Sequence, residues 1–157
     1  LMGSGALRDV VLVACAKQKR SSPAPARDLY VSPWFRKARA WAERSGHPWF
    51  IVSALHGLLA PEQVTAPYER VLSEYDKAGR LRWASGVAGQ LLPRLVATGA
   101  TVTLLAGSLY AVPLIQVMGD RVKFLRPMQG LGIGRQLGWL TRALVVSQQD
   151  SQRGFFS

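Results

Sequence analysis

A chain of 157 residues, 48% of them apolar, is sized for one ordinary domain with a real core. One cysteine and two histidines argue against an internal disulfide framework and against a structural zinc site, and no apolar run reaches membrane-spanning length. Twenty Lys and Arg against nine Asp and Glu leave a formal charge of +11, which points to a polyanionic partner, most simply nucleic acid. The expected setting is the cytoplasm, with no membrane contact, no metal and no cofactor.

In chain order, residues 1–7 (LMGSGAL) read as a cloning remnant or a disordered leader. Residues 8–147 read as a single domain, and residues 148–157 as a tail. The β-branched run Val10–Ala16 is a buried strand. It exits into a basic, proline-marked loop that lasts to Ser32. Pro33–Gly46 is a helix: Ser32 can cap it, Pro33 sits at its first position and Gly46 ends it. Trp49–Ala54 is a second strand, followed by a long connection to about Lys77. Gly79–Gly99 is a helix bent or broken near Pro93. Thr101–Gly107 is a third strand, Ser108–Gly119 a short helix, Arg121–Pro127 a short fourth strand. A last helix starts near Gly132.

Strands alternating with helices, the strands nearly all apolar, predict a three-layer α/β/α Rossmann-like domain with a mostly parallel sheet of about four strands. In such sheets ligands bind outside the carboxyl ends of the strands. The unusual residue choices collect there, in CAKQK, ARDLYVS, SALHGLLAPEQVTAPY, AGSLY and QGLGIGRQ.

In QGLGIGRQ, three alternating glycines (Gly130, Gly132, Gly134) precede a helix with Arg135 in its first turn. A helix start with open backbone N–H groups suits a phosphate, and a glycine turn for tight helix–sheet packing is the plain alternative. Lys17 and Lys19 on the first strand exit are further phosphate ligands, or solvated charge. Cys15 beside them reads better as a small buried apolar group than as a nucleophile. Tyr30 can stack on a base, whereas capping alone explains Ser32. Asp28 is either a general base or a base-edge acceptor, or it forms a loop ion pair with Arg27 or Arg36. His56, two residues beyond its strand, can carry a proton or be merely structural. Tyr68, fixed by Pro67, can present its ring, and Glu69 is a second candidate acid.

The stretch SALHGLLAPEQVTAPY resembles a segment of the peroxide-stress protein YaaA family at Ser53, Gly57, Leu59, Pro61, Pro67 and Tyr68. His56 replaces that family's Tyr, and Gln63 its Asp. Lys17 falls on the Lys of its strand-exit S-P-A-K. The whole of Val10–Leu144 is more similar still to a family of small uncharacterised domains from actinobacteria and phages. That family carries a C-x-x-x-K start, a PARDLY stretch and a closing GLGIG-x-Q-x-x-W-L. A weaker similarity links the C-x-x-x-K…Y…S pattern to the lysine-transferring domain of archaeosine synthases.

These resemblances imply a DNA-binding or base-handling domain of a stress or phage-defence system. The expectation is an enzyme acting on a modified or damaged base in DNA, most concretely an N-glycosylase. Asp28, His56 and Glu69 would be catalytic. Tyr30, Ser53, Gly57, Tyr68, Ser108 and Gln129 would hold the base or nucleotide. Lys17, Lys19, Ser32, Arg36, Gly130, Gly132, Gly134 and Arg135 would hold phosphates. A non-catalytic YaaA-like DNA-binding protein and a nucleotide- or deazaguanine-modifying enzyme are the alternatives.

Overall fold

The computed structural model describes residues 5–156, with side chains through residue 146. Its elements begin with β1 (Asp9–Ala14), β2 (Ala24–Pro25), α1 (Ala26–Leu29), α2 (Pro33–Arg44), β3 (Trp49–Ser53), β4 (Gly57–Leu59) and β5 (Val64–Thr65). They continue with α3 (Lys77–Leu91), β6 (Thr101–Leu105), α4 (Ser108–Met118), β7 (Lys123–Leu125) and α5 (Ile133–Phe156).

The most apolar strand takes the centre. β1 is buried from Val10 to Ala14 and pairs in parallel with β3 on one side and β6 on the other. β7 continues the parallel set beyond β6, and β4 closes the opposite edge antiparallel to β3. The sheet order is β4-β3-β1-β6-β7. The fold is therefore α/β, with a mostly parallel sheet flanked by helices. β1 leads through α2 to β3, while β6 leads through α4 to β7, in the opposite direction across the sheet. Right-handed crossovers then put α2 and α4 on opposite faces. α5 packs beside α2, and α3 beside α4.

Local chemistry sets the helix ends. Ser32 accepts from the Phe35 N–H at 3.1 Å and caps α2, whose Trp34, Phe35, Ala38 and Ala42 turn into the core. Asp76 caps α3 by accepting from the Gly79 N–H at 2.7 Å, so that helix starts before Gly79. Pro93 stops it, and Leu92–Arg94 tightens into a 3-10 turn.

The main sheet has five strands where four were expected. The extra one, β4, follows β3 after a three-residue turn. Gly57, at φ +72°, opens it, a backbone state that a side chain would strain. Three residues are too few to show a strand period. The connection after it also hides β5, which pairs with β2. ARDLYVS, expected to be loop, contains the single turn α1. Leu7, placed in the leader, is tied into the fold: its N–H donates to the Arg94 carbonyl at 2.8 Å. α5 runs past Gln149 to Phe156, through most of the expected tail.

Candidate functional site

The loops leaving β1 and β6 diverge to opposite sides of the sheet, which opens a crevice at their carboxyl ends. At that point Cys15 Sγ lies 3.3 Å from Tyr110 Oη, the first residue past β1 meeting the first turn of α4. Next to them, the loop after β1 folds back and bridges Lys19 to Tyr30.

Ser53, the last residue of β3, is fully buried. Its Oγ accepts from the N–H of Leu55 at 3.2 Å and of His56 at 3.0 Å, shaping the β3–β4 turn. Both lone pairs are then used, so the Ser53 hydroxyl donates to Tyr68 Oη, 2.7 Å away. Tyr68 in turn donates to Tyr30 Oη at 2.6 Å. The three hydroxyls form one directed chain from Ser53 to Tyr30. Burial raises the pKa of Tyr30, Tyr68 and Tyr110 far above the ordinary phenol value, so all three stay neutral donors at physiological pH.

Lys19 lies over this chain. Its Nζ is 4.2 Å from the centre of the Tyr68 ring and donates to the Lys17 carbonyl at 3.2 Å. Burial lowers the Lys19 pKa, while its acidic neighbours Cys15 and Glu69 pull it back up. The His56 imidazole, exposed at the turn, stands edge-on to Tyr68 with ring centres 5.4 Å apart. Trp83 of α3 backs the group: its Nε1 donates to the Ser53 carbonyl at 2.9 Å, and its ring stands 5.5 Å from Tyr110.

The structure thus gathers Lys19, Tyr30, Ser53, His56 and Tyr68, with Gly57 in the same hairpin and the exposed Glu69 beside Lys19. Asp28 is not among them. Its Oδ1 is 2.7 Å from Arg39 Nη1, which also donates to the Arg27 carbonyl, and Arg27 Nε lies 3.8 Å from Oδ2. The Arg39 hydrogen bond, with the neighbouring arginines, holds the Asp28 carboxyl below the usual carboxylate range. The loop ion pair foreseen for Asp28 forms with Arg27 and, chiefly, with Arg39, while Arg36 is exposed. Ser32 is spent on its cap, Lys17 points to solvent, and Ser108 lies exposed at the start of α4.

The glycine loop is open. Gln129, Gly130, Gly132, Gly134 and Arg135 are exposed, and a Cβ at any of the three glycines would meet no neighbour within 4 Å. Tight packing does not explain Gly132 or Gly134, and only Gly130, at φ +82°, needs glycine for its backbone. The loop's firm anchor is the buried Gln136, which donates to the Leu131 carbonyl at 2.8 Å and accepts from Trp34 Nε1 at 2.8 Å.

Sequence reasoning missed three contributors. Cys15 is half-buried against Tyr110 and is not simply core. Tyr110 lies in AGSLY on the expected edge, which was the signal for it. Trp83 falls at a helical position that reads as core, and no periodicity could have moved it to the site.

A family profile described as "Family of unknown function (DUF6884)" matches residues 10–142. The chain is also similar to the uncharacterized protein YfjM of Bacillus subtilis (strain 168), 25% identical over 150 residues covering 88% of this chain and 96% of that one. No solved structure matches the chain. Among the described residues, no helix is long and apolar enough to cross a membrane.

Proposed function

As the chain belongs to DUF6884, a family of unknown function, we propose from its site that it acts on nucleic acid, holding a modified or damaged base of DNA at the carboxyl edge of the sheet. In its sharpest form the activity is that of a DNA N-glycosylase. The observation that carries this is the coincidence, at one crevice of a +11 protein, of neutral buried hydroxyls, a half-buried lysine, and an exposed histidine and glutamate.

Base excision breaks the bond between C1′ and the base nitrogen, joins water oxygen to C1′ and delivers one proton to the departing base. Glu69 is the carboxylate for the cationic sugar or the attacking water, and His56 is the proton donor. The Tyr68 ring and the hydroxyl chain below it form the floor, and Lys19 faces the negative backbone with Lys17, Arg36 and Arg135 in support. Asp28, committed to Arg39, drops out of the catalytic set. The likeness of Ser53, Gly57, Pro67 and Tyr68 to the YaaA pattern agrees with DNA as the partner.

The test is alkali-revealed strand cleavage of end-labelled DNA carrying a panel of modified bases. Cleavage at one base, lost in Glu69→Gln and His56→Ala and kept in Asp28→Asn, is the expected result. A second reading, a DNA-binding protein without catalysis, is favoured by one observation: neither the His56 ring nor the Glu69 carboxylate is oriented by a hydrogen bond among the described residues. Salt-sensitive binding with no cleavage across the panel would select it. Binding of free nucleotides or tRNA alone would remove DNA as the substrate.

A further inference from the structure

Beside the tyrosine chain, on the far side of His56, lies a cleft of about 460 Å³ between the β3–β4 hairpin and α3. That is the size of a small-molecule site. Most of the polar atoms around it are already engaged. Tyr75 Oη donates to the Ala54 carbonyl at 3.2 Å. Gln90 Oε1 accepts from the Leu58 N–H at 2.9 Å, and its amide donates to the His56 carbonyl at 3.4 Å. Trp83 Nε1 is held by the Ser53 carbonyl. These residues present ring and methylene surface to the cleft.

Two polar groups on its rim remain without a partner among the described residues: the guanidinium of Arg82, which forms no ion pair or hydrogen bond, and the His56 imidazole. The floor is kept open by Gly86, where a Cβ would meet nothing within 4 Å. A helix interior disfavours glycine by about 1 kcal/mol relative to alanine, so packing and propensity give no reason for it. Mostly apolar walls that include the Tyr75 and Trp83 rings, with one cation and one imidazole among the lining groups, fit a planar base and its phosphate.

We propose that this cleft is a second nucleotide subsite, occupied by the strand neighbour of the base held over Tyr68, with its phosphate between Arg82 and His56. It rests on the nucleic-acid reading above and extends it: His56 borders both sites, so the two nucleotides would be consecutive in one strand. The substrate class is then single-stranded or locally opened DNA, read over at least two nucleotides.

The experiment measures binding of thymidine monophosphate, the phosphorylated dinucleotide pTpT and a mixed-sequence single-stranded DNA dodecamer to the intact protein. Arg82→Ala, Gly86→Leu and Arg121→Ala are compared with wild type. Gly86→Leu fills the cleft without changing charge, at an exposed helical position where leucine favours the fold. Arg121→Ala removes an equal charge before β7, at the opposite edge of the sheet. In wild type, pTpT should bind about tenfold more tightly than the monophosphate. Arg82→Ala and Gly86→Leu should each erase that preference and weaken the dodecamer about tenfold, and Arg121→Ala should cost less than about twofold.

Unchanged dodecamer and dinucleotide binding in both cleft variants overturns the subsite while leaving the nucleic-acid reading intact. A monophosphate that binds as tightly as pTpT and the dodecamer overturns the strand-neighbour assignment in favour of a free nucleotide. If wild type binds none of the three, both readings fall together. Should Gly86→Leu lose its fold, as judged by its thermal melt, Arg82→Ala against Arg121→Ala decides alone.

Discussion

Two regions on the carboxyl edge of the sheet carry candidate site residues, and they are built in opposite ways. Around Ser53 and Tyr68, the hydroxyls are packed and bound to one another: Ser53 takes two N–H groups, and its hydroxyl begins a chain through Tyr68 to Tyr30. In the glycine loop Gln129, Ile133 and Arg135 are exposed, a Cβ added at any of the three glycines would meet nothing, and the buried ties are Met128 and Gln136. The first region is a preformed scaffold whose geometry cannot drift. The second is a turn held by backbone hydrogen bonds, with its polar side chains left open to solvent. Loss of a hydroxyl from the first should therefore cost stability, and loss of an exposed side chain from the second should cost binding.

Ser53→Ala should show the largest effect. It leaves two backbone N–H groups and the Tyr68 hydroxyl short of a partner, and unsatisfied buried groups cost about 1–3 kcal/mol each. With partial relaxation the expected loss is about 2–3 kcal/mol in urea denaturation. Tyr68→Phe should cost somewhat less, since the Leu55 and His56 N–H groups keep Ser53. The double variant Gly132→Ala/Gly134→Ala should leave the denaturation midpoint unchanged or higher, and weaken DNA only if the loop holds phosphate. Equal losses in the two regions would erase the contrast.

Two of the four positive-φ glycines among the described residues, one in each region, sharpen it next. Gly57 and Gly130 share the left-handed backbone, so alanine at either should cost about 1 kcal/mol. At Gly57 the added methyl also runs into the Gln90 side-chain amide, which holds Leu58. Gly57→Ala should accordingly lose about 2 kcal/mol or more, and Gly130→Ala only the backbone share. Equal melting temperatures for the two would mean that Gln90 swings aside freely.

How far this could be read in advance differs between the regions for a physical reason. The strands and the fold class follow from apolar runs such as VVLVA and WFIVS, and the convergence of loops on one edge follows from parallel pairing, so the neighbourhood of the candidate site was legible. Which residues meet there was only partly so. Tyr30, Ser53, His56 and Tyr68 lay on the right loops and do meet. Asp28 lay on the right loop and is turned away to Arg39 on α2, because a one-turn helix at Ala26–Leu29 decides its direction. Cys15 meeting Tyr110, 95 residues away, depends on β1 and β6 being neighbours, a pairing that local pattern cannot show. The β4 strand and the cleft behind it rest on a three-residue turn and on Gly86, signals too short to stand out.

Asp28 gives a smaller and cleaner test. Its carboxyl titrates below the ordinary carboxylate range because Arg39 favours the charged form. The sign follows: its stabilisation is fully present above the unfolded pKa near 4 and is lost as pH falls through the depressed folded value. About a third of the side chain is exposed, so solvent screening reduces the effect, and Asp28→Asn should cost about 0.5 kcal/mol at pH 7. That difference should close in acid, and DNA cleavage should be untouched. Loss of cleavage in a folded Asp28→Asn protein would return Asp28 to the site.

Lys19 supplies the smallest effect and the finest contrast, because it is the cation half-buried in the packed region while Arg135 is its counterpart in the open one. Burial lowers the Lys19 pKa, so the folded state resists its charge. Below the folded pKa the ammonium then costs stability, and the cost fades as pH rises from that value to the unfolded one near 10.4. Lys19→Met should raise the melting temperature by about 1 °C at pH 7, with the gain gone above pH ~10.5, while Arg135→Ala leaves it unchanged at both. Both should weaken DNA binding and flatten its salt dependence. A Lys19→Met protein that melts lower at pH 7 would mean that the stacking of the ammonium on Tyr68 outweighs its burial. The lysine would then be a structural member of the hydroxyl chain, in place of a cation held ready for the backbone.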